Sequence, residues 1–242
     1  MAPAAPVRDG GAGAGATVVT RRIAVDGPSG AGKSTVGFAL AQRIGATFVD
    51  TGLMYRALTL AAVERGIDVD DGGTLGALAT ECRIEVERPR PEHGDRRETV
   101  RLDGRDVTVD VREPRIDRAV SAVSRHAEVR TAMLGVQRAA AELGDTVMVG
   151  RDIGTVVLPD ATLKVYLTAA AIVRAARRAA EMAAPDRVEA YLAEIERRDA
   201  ADSGREIAPL RQADGSLLLD TGALGVVECV DAIVARLEAI DA

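Results

Sequence analysis

The chain has no tryptophan, three tyrosines and two phenylalanines among 242 residues, and it carries a net charge of -6. Proteins that bind nucleic acids stack bases on aromatic rings and neutralise phosphates with an excess of basic side chains. The chain as a whole has neither many aromatic rings nor an excess of basic side chains. The composition therefore predicts no nucleic-acid partner, and any phosphate site must be built from a local group of basic residues.

Cysteine, histidine and long apolar runs are also scarce. Cys82 and Cys229 are isolated, without metal-ligand spacing, which is typical of reduced thiols in a cytosolic protein. No apolar run approaches the roughly 20 residues of a membrane span, so we predict no membrane partner and a cytoplasmic location. We interpret His93 and His126, the only two histidines, as structural residues.

Lysine occurs only at positions 33 and 164, although the chain has 31 basic residues. Lys33 lies in a complete phosphate-loop pattern that follows a short apolar strand and opens a helix. Glycines allow backbone N–H groups to approach a phosphate, and the helix N-terminus favours negative charge. The pattern predicts an ATP site that comprises Gly27, Pro28, Ser29, Gly30, Ala31, Gly32, Lys33, Ser34 and Thr35. Lys33 would reach the β and γ phosphates, and the Ser34 hydroxyl would help to hold Mg²⁺.

The remaining pattern alternates strands and helices, so we predict an α/β fold with three layers and a parallel central sheet. Residues 83–87, 99–103 and 106–109 alternate with period two and predict a small antiparallel insertion. Helical spacing predicts helices over 35–44 and 116–143. We predict a disordered tail over 1–21 and one domain over 22–242, with residues 82–113 inserted over the binding face.

Three further segments carry candidate functional residues. Residues 50–56 and 150–155 each follow a predicted strand, and ligands bind at the carboxyl ends of parallel strands. Residues 197–206 are basic and polar and predict a lid. For each segment an ordinary alternative stays open: a solvated charge at Arg56, a structural ion pair at Arg151-Asp152, and a plain surface loop in place of the lid.

Together, residues 26–34, 50–56, 150–155 and 198–210 resemble the bacterial cytidylate kinases, a family of nucleoside-monophosphate kinases, and the likeness extends from about Arg22 to the end. The resemblance implies a P-loop kinase fold in which the antiparallel insertion binds the nucleoside monophosphate. It implies transfer of the γ-phosphoryl group of ATP to CMP or dCMP, with Mg²⁺, in pyrimidine nucleotide metabolism. We expect a monomer.

The same resemblance assigns roles to individual residues. The substrate-binding set is Thr51, Arg56, Ser121, Arg130, Arg151, Asp152, Asp202 and Arg205. The catalytic set is Lys33, Arg151, Asp152 and Arg198. One of Arg174, Arg177 and Arg178 is expected beside the donor adenine. Val149 departs from the family pattern, because similar chains often carry Asp or Glu there; if that carboxylate orders water around Mg²⁺, its role falls to Asp152, Asp26 or no residue.

Two other functions remain open at this stage. The same scaffold serves kinases of other small acceptors, which the fold alone does not exclude. A nucleotide-dependent switch protein would need a guanine-reading motif such as Asn-Lys-x-Asp, which the sequence lacks.

Overall fold

The computed structural model describes residues 20–89, 91–93, 96–142 and 144–242. Of the predicted tail, residues 1–19 lie outside these ranges, as does Leu143 at the end of the predicted helix. Arg21, which the sequence places in the tail, is tied to the folded chain. Its backbone N–H donates to Asp145 (2.8 Å) and its guanidinium pairs with Asp241 (2.7 Å).

Eight strands and eight helices occur in the described ranges. The strands are β1 Arg22–Asp26, β2 Thr47–Asp50, β3 Ile84–Glu87, β4 Thr99–Leu102, β5 Arg105–Asp106, β6 Thr146–Val149, β7 Leu163–Thr168 and β8 Leu217–Asp220. The helices are α1 Lys33–Ile44, α2 Thr51–Glu64, α3 Gly72–Glu81, α4 Pro114–Val123, α5 Ala127–Ala140, α6 Ala171–Glu181, α7 Val188–Ser203 and α8 Val226–Asp241. None of the described helices is long and apolar enough to cross a bilayer.

Five parallel strands in the order β2-β6-β1-β7-β8 form the central sheet. Because successive side chains of a strand point to opposite faces, Ile23 and Val25 pack with α1 and α8, whereas Ala24 joins the core beneath α2, α3 and α5. A parallel sheet covered by helices on both faces confirms the predicted three-layer α/β class.

The single helix predicted over 116–143 is wrong, because the chain leaves the helical conformation between α4 and α5. His126 is extended (φ -69°, ψ 132°), and its ring nitrogen Nε2 lies 2.8 Å from the Val69 carbonyl oxygen. The freed Ser124 carbonyl accepts a hydrogen bond from Arg130 (3.1 Å). The break is thus held by His126, whose partner Val69 is distant in sequence, and by Arg130, whose partner lies six residues before it.

The antiparallel insertion forms from β3, β4 and β5, but the third strand is shorter than predicted. It spans only Arg105–Asp106, because the Asp106 carboxylate accepts both the backbone N–H and the hydroxyl of Thr108 (3.0 and 2.6 Å). This local turn ends the pairing, and a short 3₁₀ turn follows at Asp110–Arg112. The alternation of Val107 and Val109 therefore does not reflect a strand.

Arginines fix the insertion against α1 and β2. Arg97 reaches the Thr35 hydroxyl (3.5 Å) and lies 5.5 Å from the centre of the Phe38 ring, while Arg88 donates to the Ala46 carbonyl (3.1 Å). Glu98 is buried beside them, with one oxygen 3.4 Å from Arg112 and the other without a hydrogen bond. Burial, followed by the charge of Asp50, raises the pKa of Glu98 from 4.5 to about 7.

We expect Glu98→Gln to become more stable than the wild type as pH rises. A carboxyl whose pKa is raised by folding favours the folded state below its unfolded pKa, and this contribution is lost as pH increases through about 7. The gain of the variant should grow between pH 4.5 and 7 to on the order of 2–3 kcal/mol. Urea unfolding at pH 5, 6, 7 and 8 measures it.

Glu87→Gln, on the exposed face of β3, is the matched control because it makes the same change in charge. Its effect should be small, because the side chain is exposed. A Glu98→Gln difference that stays constant from pH 5 to 8 would contradict the origin assigned to the shift.

Candidate active site

A cavity of about 620 Å³ opens at the carboxyl edge of the parallel sheet. The loops after β1, β2 and β6 all reach it, as do α4, α6 and α7. Ten arginines and Lys33 line it, against six carboxylates. The chain as a whole carries a charge of -6, so basic residues are concentrated here and the cavity suits a polyanion.

The phosphate loop has the backbone conformation that its glycines were expected to allow. Gly27 has φ 149°, and a Cβ there would lie 2.1 Å from the Leu167 carbonyl oxygen, so only glycine fits. Lys33 donates to the Pro28 carbonyl (2.7 Å), which holds the amine across its own loop. Ser34 donates to the Asp50 carboxylate (2.6 Å) at the N-terminus of α2.

Two arginines act on the Lys33 amine. Burial lowers its pKa well below the ordinary value, Arg151 and Arg198 lower it further, and Asp50 and Asp26 act against this shift. Burial and then Arg151 also lower the pKa of Arg198. The Arg198 side chain forms no hydrogen bond or ion pair with any residue in the described ranges, so an anion bound here would relieve the repulsion among the three cations.

The Asp26 carboxylate connects the phosphate loop to the segment after β6. Its two oxygens accept the backbone N–H groups of Ile153 and Gly154, each at 2.7 Å. Residues Ile153–Val157, predicted as part of a polar loop, form one π-helical turn that these bonds anchor. Burial raises the pKa of Asp26 to about 6, although the two N–H groups act against the rise.

Arg130 and Asp152 form a buried pair in the wall of the cavity. Their closest atoms are 2.6 Å apart, and the Arg130 guanidinium lies 5.5 Å from the centre of the Tyr55 ring. The Nε of Arg130 is buried without a hydrogen-bond partner. Ser121 lines the same part of the cavity from α4. This pair thus presents a donor and an acceptor side by side in a desolvated setting.

Asp202 joins Arg151 to Arg205. Its carboxylate accepts from Arg151 Nε at 2.8 Å and binds Arg205 through its other oxygen. Burial raises the pKa of Asp202, but Arg151, Arg205 and Arg198 together outweigh burial, so the net shift is downward. The segment predicted as a flexible lid is largely helical, because α7 continues to Ser203 through Ala200 and Ala201, and buries Asp202.

Thr51 and Arg56 extend from α2 toward the cavity. The Thr51 hydroxyl donates to the Val149 carbonyl (3.0 Å), so its proton is already engaged. Arg56 donates to the Val111 carbonyl (3.2 Å) and forms an ion pair with Asp117 on α4. Both predicted residues line the cavity.

The three arginines of α6 have different surroundings. Arg174 is buried against Gly30 and donates to the Ser29 carbonyl (3.0 Å), which supports the phosphate loop. Arg177 donates to the Thr221 hydroxyl and carbonyl (3.0 and 2.6 Å). The Thr221 hydroxyl in turn bonds the Ala31 carbonyl (3.2 Å), so Arg177 stands where the phosphate loop meets the turn after β8. Arg178 instead pairs with Asp117.

The side chain of Val149 belongs to the apolar layer under α1. It is 1% exposed and packs against Gly37, near the Phe48 ring. Asp26 does not supply a free carboxylate in its place, because both of its oxygens accept backbone N–H groups.

The protein side chains could hold Mg²⁺ only together with oxygen atoms of a bound nucleotide. Ser34 and Asp50 offer hard oxygen atoms, the kind that Mg²⁺ prefers. Among the described residues, no group of three or more Asp, Glu, His or Cys could hold a metal alone.

Comparison with known proteins identifies the family. The family model for cytidylate kinase matches residues 23–239. The chain belongs to the cytidylate kinase family. It is 46% identical over 215 residues to a cytidylate kinase of Geobacillus kaustophilus, covering 88% of this chain and 94% of the relative. It is 45% identical over 219 residues to that of Exiguobacterium sibiricum, covering 89% and 94%.

A more distant likeness is found among solved structures. The shikimate kinase from Acinetobacter baumannii covers 91% of this chain and 94% of its own, at 15% identity and a TM-score of 0.44. Family membership confirms the resemblance noted in the sequence and classes the chain as an ATP-dependent nucleotide kinase.

For a cytidylate kinase, the residues predicted from the sequence converge well on one cavity. Its lining includes Ser29, Gly30, Lys33, Ser34, Thr35, Thr51, Arg56, Ser121, Arg130, Arg151, Asp152, Arg198, Asp202 and Arg205. Gly27, Pro28, Ala31 and Gly32 form the loop behind it. Their individual roles stay predictions.

Sequence reasoning missed five charged residues of the lining: Arg97, Arg112, Asp117, Glu181 and Glu194. The first three lie in the insertion or just after it, where many charges are solvated, and no motif distinguishes them from their neighbours. The only available signal was their place at the end of the insertion predicted to cover the binding face.

Asp202→Asn should lower the free energy of unfolding by about 3 kcal/mol, because it leaves two partly buried arginines without their shared counterion. Urea unfolding without nucleotide measures the loss. Glu194→Gln removes an exposed carboxylate from the same cavity and should change stability by less than about 0.5 kcal/mol. Equal effects of the two variants would show that Asp202 contributes only a negative charge to the cavity and no specific ion pair.

Proposed function

We propose that this chain transfers the γ-phosphoryl group of ATP to CMP or dCMP and releases ADP with CDP or dCDP. The observation that carries the proposal is the single cavity that joins a phosphate loop to the buried Arg130–Asp152 pair. Membership in the cytidylate kinase family supports it. A phosphate loop alone is compatible with many phosphoryl donors and acceptors. A buried hydrogen-bond donor beside a buried hydrogen-bond acceptor is suited to binding the edge of a heterocyclic base.

The donor end is assigned to the phosphate loop and Lys33. When the triphosphate binds, Lys33 gives up its hydrogen bond to the Pro28 carbonyl and donates to phosphate oxygens instead. The buried amine then pairs with an anion rather than with a neutral carbonyl. Ser34 would help to hold Mg²⁺, which would supply positive charge to offset that of the phosphates. Arg177 is the α6 arginine that we assign to the adenine side, because it lies beside Thr221 and the end of the phosphate loop.

The acceptor base is assigned to Arg130, Asp152 and Ser121. Cytosine presents an amino donor beside two acceptors, the ring nitrogen and the carbonyl oxygen. A carboxylate accepts from the amino group, and a guanidinium donates to the ring nitrogen and oxygen. Uracil replaces that amino donor with an acceptor, so it would face Asp152 with unfavourable polarity.

The transfer itself needs positioning and cancellation of charge more than covalent chemistry. Arg56, Arg151 and Arg205 are suited to the acceptor phosphate, and Arg198, which lacks a described partner, to the transferring group. Thr51 positions the start of α2 through the Val149 carbonyl. The acceptor phosphate is ionised at neutral pH, so no catalytic base is required.

Several features of this enzyme stay predictions. They are a single kinase domain over 22–242 with an insertion over 82–113, closure of residues 197–206 as a lid, a monomeric state, and a cytoplasmic location.

A panel of acceptors at fixed Mg-ATP tests the function. ADP release should depend on CMP or dCMP, be weaker with UMP, and be negligible with AMP or shikimate. Clear preference for another acceptor would assign the same scaffold to a different small-molecule kinase. Slow hydrolysis that no monophosphate stimulates would favour a nucleotide-dependent switch.

Arg130→Ala should raise KM for CMP by about 10- to 100-fold, since each lost charged hydrogen bond is worth about 1.5–3 kcal/mol, and should change KM for ATP far less. Arg177→Ala, a change of the same type on α6, should show the reverse order. Initial rates with each substrate varied in turn separate the two constants. If Arg130→Ala affects ATP more than CMP, the residue does not belong to the acceptor side.

A further inference from the structure

Two arginines from different helices converge on one aspartate at the acceptor side of the cavity. Asp117, on α4, binds Arg56 of α2 through Oδ1 and Arg178 of α6 through Oδ2, the latter at 2.8 Å. All three residues line the cavity. The sequence pattern assigned no role to Asp117.

The Asp117 carboxylate is ionised at neutral pH. Burial raises its pKa, but Arg56, Arg178 and Arg198 together outweigh burial, so the net shift is downward. A fixed negative charge therefore stands among three arginines of a cavity that otherwise attracts anions.

We propose that Asp117 is an internal counter-anion that competes with the acceptor phosphate for Arg56 and Arg178, and so sets the affinity of the enzyme for its acceptor. The inference rests on the proposed function in one respect, the assignment of Arg56 to the acceptor phosphate. A carboxylate and a phosphate both bind the guanidinium fork through two oxygens, so an arginine engaged by one has fewer donors for the other.

The contacts of Arg56 favour competition over support. Arg56 has a second anchor, the Val111 carbonyl at 3.2 Å, so its orientation does not depend on Asp117 alone. Arg178 also has a second carboxylate within reach, that of Glu181 at 3.6 Å. Without Asp117, the Arg56 and Arg178 guanidinium groups would keep these second contacts and would have N–H groups free to bind an anion.

Exposure also separates the carboxylate of this bridge from those of the Asp152 and Asp202 ion pairs. The side chains of Asp202 and Asp152 are 3% and 10% exposed, and those of their arginine partners no more than 20%, as expected of fixed pairs. Asp117 is 19% exposed, Arg56 21% and Arg178 38%. A bridge that water already reaches can be exchanged for a dissolved anion at lower cost.

Calorimetric titration of the full chain with CMP, cytidine and inorganic phosphate tests the proposal in the wild type and in Asp117→Asn. The variant should bind CMP and inorganic phosphate about 3- to 10-fold more tightly, because a charge repulsion near the protein surface is removed. Its affinity for cytidine should stay within twofold, since cytidine lacks the phosphate. KM for CMP should fall in parallel, while KM for ATP stays nearly constant.

Two further variants control the result. Asp117→Glu keeps the charge and should retain the weaker phosphate binding of the wild type. Glu181→Gln removes a carboxylate that contacts Arg178 but not Arg56, so it should change CMP affinity by less than twofold. The thermal midpoint of each variant verifies that it is folded, and the Asp117→Glu comparison still applies if Asp117→Asn is not.

The outcomes distinguish this inference from the proposed function. Unchanged or weaker binding of phosphate and CMP by Asp117→Asn would overturn the inference and make Asp117 a support for Arg56. Stronger cytidine binding would also overturn it, because the effect would then concern the base. If the wild type binds no CMP, the proposed function fails, and the inorganic phosphate series still decides whether Asp117 competes with anions.

Discussion

The repulsion among basic side chains at one edge of the sheet is the constraint around which the site is organised. Arg151 is close enough to lower the pKa of both Lys33 and Arg198, in a protein whose overall charge is negative. Such a group is stable only if counterions are near. Here the chain supplies its own carboxylates, and the substrates' phosphates supply the remainder during the reaction.

The carboxylates that neutralise this group are graded by burial. Asp202 and Asp152 are enclosed with their arginines, so they behave as parts of the framework. Asp117 is half-buried and bridges two helices, so it can respond to a ligand. In this cytidylate kinase, the difference in burial distinguishes the carboxylates that keep arginines in place from Asp117, which we infer to be replaced by a phosphate.

The sequence predicts the layers of the fold well and the surroundings of the arginines poorly. The phosphate loop, the parallel strands and the three-layer class follow from local patterns, because glycine spacing and apolar runs report directly on backbone conformation and burial. The break before α5 was missed because Val69 and Ser124 hold it, and neither contact has a sequence signature. Helix α7 extends past the predicted lid boundary, where Asp202 pairs with the distant Arg151 as well as with the nearby Arg205. The role of Asp117 depends in the same way on residues from two other helices.

The two hydrogen bonds of Asp26 fix the distance between the end of β1 and the segment after Asp152. They join the strand that leads into the phosphate loop to the backbone directly after Asp152, across 127 and 128 residues of chain. Phosphoryl transfer depends on in-line alignment to a fraction of an ångström. With this short cross-tie, backbone rather than long side chains sets the spacing between the phosphate loop and the Arg130–Asp152 pair.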